Sequence, residues 1–114
     1  MQRALNTYIE DITTAINKIE KYILGMTKED LAGDELIQDA VFRNLEVIGE
    51  AVKKIPEDVR SRYEYIPWRK ISGLRDILIH EYFGINMNII WDVIENKLPQ
   101  LKVVMEKIYD DYLA

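Results

Sequence analysis

The sequence predicts an all-α fold, an up-and-down helical bundle of four main helices plus one or two short helices. Three observations carry that expectation. Apolar residues recur at helical spacing along most of the 114 residues. No segment alternates with the period of a strand. The breakers Gly25, Gly33, Pro56 and Gly84 fall between the apolar stripes. The length suits one domain, residues 1–114, able to bury a core without disulfides or metals.

The first helix spans about residues 4–24, with Leu5, Ile9, Ile12, Ile16, Ile19 and Ile23 as its stripe and Gly25 as its stop. In "TKED", Thr27 and Asp30 form the pattern of a capping box and open a short helix. Asp34 can cap a long helix to about Lys54. Its stripe is Ile37, Val41, Leu45, Ile48 and Val52, and Pro56 ends it. "PEDVRSRY" suits a short helix with Pro56 in its first turn. "IPWRKISGLRDILIHEYF" restarts near Pro67 and runs to about Phe83. Asn86 or Asn88 can cap the last helix, which Pro99 kinks or divides into two coaxial pieces.

Composition excludes several classes of function. Cysteine is absent, so there is neither a disulfide frame nor a thiolate metal site. No apolar run approaches a membrane span and the amphipathic, acidic N-terminus lacks a signal core, so a soluble, cytoplasmic protein is expected. The net charge of −5 argues against a nucleic-acid binder that uses its whole surface. The charge is unevenly spread. Residues 1–42 and 76–114 each sum to −4, whereas residues 43–75 sum to +3. Arg60, Arg62, Arg69 and Lys70 therefore form either a local cradle for phosphate or an ordinary solvated face of mixed charge.

The stretch "RDILIHEYF", residues 75–83, concentrates the chemistry, for it holds the only histidine, His80. At about 100° per residue, Ile71, Leu74 and Leu78 share one stripe, and Asp76 and His80 lie roughly opposite it. Asp76 and His80 are one turn apart, so carboxylate and imidazole are within reach. Tyr82 returns to nearly the azimuth of Arg75. Two polar pairs are expected, Asp76 with His80 and Arg75 with Tyr82. Ile77 and Ile79 flank them and give the helix a second apolar side. Burial against the same helix of a twofold-related chain accounts for that side, and a partner copy would help bring Arg75 and His80 together.

His80 can take or give a proton near neutral pH, and Asp76 can hold its tautomer. Arg75 presents a charged fork matched to phosphate oxygens. With a 2′-hydroxyl as internal nucleophile, these groups suffice to cleave RNA without a metal or other cofactor. The spacing of a zinc or di-iron site is missing, as are a glycine-rich phosphate loop and a nucleophile elbow. The bland alternative is an interface histidine beside a surface charge pair.

The segment "IPWRKISGLRDILIHEYFGIN" resembles the signature of the HepT-like toxins, a branch of the HEPN ribonuclease superfamily. Arg75, Asp76, His80, Glu81 and Tyr82 match its order. The likeness continues through "RNLEVIGEAVKKIP", "PWRKI" and "IIWDVIENKLPQL", and so covers most of the chain. Asp76 stands where the wider superfamily often has asparagine. The resemblance implies a metal-independent endoribonuclease working as a homodimer, with its cleft at the interface. It implies the toxin role in a type VII toxin–antitoxin system beside a minimal nucleotidyltransferase antitoxin, which uses ATP and magnesium to adenylylate the motif tyrosine, here Tyr82. It assigns Arg75, His80 and Asp76 to catalysis, and the basic excess before the motif leaves Arg69, Lys70, Arg60 and Arg62 as candidate RNA contacts. Glu50, in "IGEA", matches a recurrent family position, as a site residue or as a polar contact between helices. The competing class is a non-catalytic helical module that binds the nucleotidyltransferase.

Overall fold

The computed structural model describes residues 2–80 and 86–114, the side chains of residues 2, 3, 79 and 80 aside. Helix α1 (Gln2–Tyr22) buries Leu5, Ile9, Ile12, Ile16 and Ile19, the stripe that its period requires. Gly25, at φ 79°, turns the chain through the left-handed region, which side chains resist. In α2 (Lys28–Ala32) the capping box is complete. The Asp30 N–H donates to Thr27 Oγ1 at 3.1 Å, and the Thr27 N–H donates to Asp30 Oδ2 at 3.0 Å. Helix α3 (Glu35–Lys54) begins where Asp34 Oδ1 accepts from the Ile37 N–H at 3.1 Å. It ends at Ile55, which is extended ahead of Pro56.

One turn of helix, α4 (Glu57–Arg60), and a 3-10 turn, Ser61–Tyr63, follow. They anchor the start of α5 (Trp68–His80). The Trp68 indole N–H is shared between the carbonyls of Arg60 and Tyr63, at 3.1 and 3.0 Å. Asn86 caps α6 (Met87–Asp92), accepting from the Asn88 N–H at 2.9 Å. From α6 the helical path runs through a π-helical turn, Val93–Lys97, into α7 (Leu98–Tyr112). The Leu98 N–H reaches back five residues to the Val93 carbonyl. Pro99, which lacks an N–H and crowds the preceding turn, sits just after this widening. The last helix is thus divided ahead of Pro99 into two helical pieces, one of the two outcomes expected, and the join is a π turn.

The four long paths are α1, α3, α5 and the joined α6–α7. Lys102 Nζ meets Glu20 Oε1 at 2.9 Å, while Met105 and Tyr109 lie beside Ile9 and Asn6, so α7 runs antiparallel to α1. Lys54 lies over Tyr8, which sets α3 antiparallel to α1. Lys28 Nζ donates to Asn88 Oδ1 at 2.6 Å, which ties the start of α6 to the α2 end of the bundle. At the other end, the Tyr63 hydroxyl donates to Asp111 Oδ2 at 2.8 Å, and the Arg62 guanidinium stacks 5.4 Å from the Tyr112 ring centroid. The result is the expected up-and-down all-α bundle. Its core includes Ile12, Ile16, Leu45, Ile48, Ile71, Leu74, Leu101 and Val104.

Candidate functional site

The site begins with a glycine. A Cβ on Gly49 would stand 3.1 Å from the Ile71 carbonyl oxygen, 3.3 Å from that of Ser72 and 3.5 Å from the Arg75 nitrogen. Lacking one, α3 lets the backbone of α5 approach closely at that level. Ile71, Leu74 and Leu78 turn into the core, as their spacing requires. Arg75 is then carried to the edge of the α3 contact. The next residue on α3, Glu50, meets it: Glu50 Oε2 lies 3.2 Å from Arg75 Nε. Arg75 Nη1 is 3.7 Å from Asp76 Oδ1, a charge contact beyond hydrogen-bond length.

Arg75 stands at the lip of a groove of about 380 Å³ between α1 and α3. Tyr8 and Asp11 line it from α1, and Arg43, Glu46, Glu50 and Lys54 from α3. Lys54 Nζ sits 5.9 Å from the Tyr8 ring centroid. Three cations and three carboxylates mix here. The groove can therefore hold an anionic group beside Arg75 while offering acceptors close by. Both members of the Arg75–Glu50 pair keep over 40% of their side-chain surface exposed, so an incoming phosphate can reach the guanidinium.

The expected site residues fall out as follows. Arg75 and Asp76 share the start of the last two turns of α5 and touch each other. The helix includes His80, one turn beyond Asp76. The His80 side chain and Tyr82 lie outside the described residues, and with them the expected pairs Asp76–His80 and Arg75–Tyr82. On the outer face Asp76 is exposed, and Ile77 remains 37% exposed beside it.

The four suggested RNA contacts are not gathered at the Arg75 groove. Arg62 is engaged with Tyr112. Arg60 is half-buried, and its Nε has no hydrogen-bond partner among the described residues. Arg69 and Lys70 are exposed in the first turn of α5. The cations that line the groove with Arg75 are Arg43 and Lys54, which belong to the basic segment 43–75 but not to the four suggested contacts. The available signal was Gly49 inside a helix with a strong apolar stripe, which marks a close approach, followed at once by a carboxylate. For Glu50, the structure settles the local contact as an ion pair between helices.

Among the described residues, no group of three or more His, Cys, Asp or Glu side chains could hold a metal ion. None of their helices is long and apolar enough to cross a membrane.

Comparison with known proteins agrees with this architecture. Residues 12–108 match the family described as ribonuclease HepT-like. A Thermococcus cleftensis protein named "Probable ribonuclease HepT" is 42% identical over 108 residues, covering 95% of this chain and 98% of its own. A Methanocaldococcus jannaschii protein named "Putative RNase" is 39% identical over 110 residues, covering 96% and 95%. Another from that organism, named "Gamma-glutamylcyclotransferase and putative RNase", is 37% identical over 111 residues. That alignment takes in 97% of this chain but only 50% of the relative, so the chain spans half its length. No solved structure matches the chain at a significant level. With an all-helical bundle and the arginine-bearing motif of α5 already in place, the extent and identity of these matches establish that the chain belongs to the ribonuclease HepT-like family.

Proposed function

We propose that this protein is a metal-independent endoribonuclease and the toxin of a type VII HEPN/minimal-nucleotidyltransferase system. The observation that carries the reading is the Arg75 guanidinium. It is gripped at Nε by Glu50 and left half-exposed at a groove mouth, on the helix that bears His80.

The reaction follows from these groups. The 2′-hydroxyl oxygen attacks the adjacent phosphorus and gives up its proton to a base. The P–O5′ bond breaks, and the 5′ oxygen receives a proton. A cyclic phosphate remains on the upstream fragment. His80 is the proton-transfer group. Arg75 neutralises charge on the non-bridging oxygens, and Asp76 orients the imidazole. Arg69 and Lys70, exposed at the start of the helix, contact flanking phosphates, with Arg60 and Arg62 as weaker candidates.

In this reading two copies pack through the outer face of α5, where Ile77 remains partly exposed beside Asp76. The cognate nucleotidyltransferase silences the enzyme by adenylylating Tyr82. Added negative charge and bulk beside the motif compete with RNA phosphate for Arg75.

The test is cleavage of RNA by pure protein in EDTA, comparing wild type with Arg75→Ala and His80→Ala. Activity lost in both variants, with folding retained, supports the reading. Undiminished cleavage in either refutes the assignment. Mass spectrometry after co-expression with the nucleotidyltransferase should show adenylate on wild type and none on Tyr82→Phe.

The acidic charge of −5 favours a second reading, a non-catalytic module that only binds the nucleotidyltransferase. A protein harmless to growth when expressed alone would support that reading.

A further inference from the structure

We propose that the groove between α1 and α7 is a docking site for a basic amphipathic helix of a partner protein. The groove has a volume of about 320 Å³. Ile9 and Met105 form its buried apolar floor, and the half-exposed Tyr109 ring forms one wall. Met105 is unbranched and adapts its shape to what lies on it. Three carboxylates, Glu10, Glu106 and Asp110, stand on the rim, and among the described residues neither lysine nor arginine lines the groove.

Among the described residues, the charge at this rim is uncompensated. Glu106 and Asp110 are four residues apart on one helix face, an unfavourable like-charge spacing. Neither has an ion-pair or hydrogen-bond partner among the described residues. Glu10 accepts only a long hydrogen bond from Asn6 Nδ2, at 3.4 Å. By contrast, the same two helices pair Glu20 with Lys102 farther along. An apolar trough with an all-acidic rim is complementary to a helix that carries leucine-like side chains on one face and lysine or arginine at its borders. The lined part of α1, from Asn6 to Thr14, is about 12 Å long at 1.5 Å per residue, room for about two turns of such a helix.

This groove is separate from the one at Arg75. On α1, the residues facing α7 and those facing the Arg75 groove, Tyr8 and Asp11, point about 160° apart at 100° per residue. A partner can therefore be held here while the Arg75 groove stays open, and the proposal stands or falls independently of ribonuclease activity.

The experiment is fluorescence anisotropy with a labelled synthetic helix of about four turns, leucine on one face and lysine at both borders. Controls are a scrambled peptide of the same composition and a peptide with glutamate in place of lysine. The basic amphipathic peptide should bind the whole protein. Binding should weaken about tenfold in the Glu106→Gln, Asp110→Asn double variant, whose exposed positions leave the fold intact by circular dichroism. It should also weaken in Tyr109→Ala and be unchanged in Arg43→Ala, on the other groove. Equal binding of the scrambled peptide, equal binding by the double variant, or no binding overturns the proposal. So does displacement by free spermidine at the peptide's own concentration, which would assign the groove to small organic cations.

Discussion

Glu50 and Arg75, twenty-five residues apart in sequence, meet across the α3–α5 contact with Oε2 3.2 Å from Nε. The contact uses the inner nitrogen of the guanidinium, while Nη1 of its outer fork lies 3.7 Å from Asp76 Oδ1. Being half-exposed on both sides, the pair contributes under about 1 kcal/mol to stability. Its larger consequence is orientation. Glu50→Gln should leave the melting temperature within about 2 °C of wild type and lower kcat for RNA about tenfold, with KM changed less. Steady-state kinetics beside a thermal melt checks this, and an unchanged kcat would remove Glu50 from the account.

Gly49 sets the distance at which that contact forms. Gly49→Val would force the α5 backbone away from α3, because the nearest obstacles are the carbonyls of Ile71 and Ser72 and cannot rotate aside. A loss of about 1–3 kcal/mol is expected, read from urea denaturation. Cleavage should fall beyond what the unfolded fraction explains, since Arg75 moves with α5.

The Tyr63 hydroxyl is pushed up to about 12, first by burial and then by its hydrogen bond to the Asp111 carboxylate and that group's charge. The fold therefore prefers the neutral phenol. The stabilisation is complete below the unfolded value of 10 and is lost as pH rises from 10 to about 12. Tyr63→Phe should cost about 1 kcal/mol at neutral pH and flatten the alkaline fall in melting temperature. Melts from pH 7 to 11 test this; parallel curves for the two proteins would contradict it.

Arg62 and Arg69 should separate in experiment although the sequence groups them. Arg62 stacks on Tyr112 and helps hold the end of α7, so Arg62→Ala should lower stability with little change in RNA affinity. Arg69 is exposed at the start of α5, so Arg69→Ala should weaken RNA binding and reduce the salt slope by about 1. Filter binding across a salt series distinguishes the two.

The helices were legible because each signal is local. Thr27 and Asp30 cap each other within one turn, Asp34 caps α3, and Asn86 caps α6. The division of the last helix near Pro99 was legible too, because a proline's missing donor is visible in sequence; that the join is a π turn was not.

The sequence by itself determined the element order, the stripes that form the core and the helix that carries Arg75, Asp76 and His80. These follow from periodicity and capping, which act over a few residues. Only the tertiary structure decided that Glu50 would grip Arg75, that Arg43 and Lys54 rather than Arg60 and Arg62 would share its groove, and that α1 and α7 would leave an acidic trough on the opposite side. The physical reason is that helical spacing fixes which face a residue occupies. Which helix meets that face, and how closely, depends on side-chain volumes elsewhere, such as the missing Cβ of Gly49.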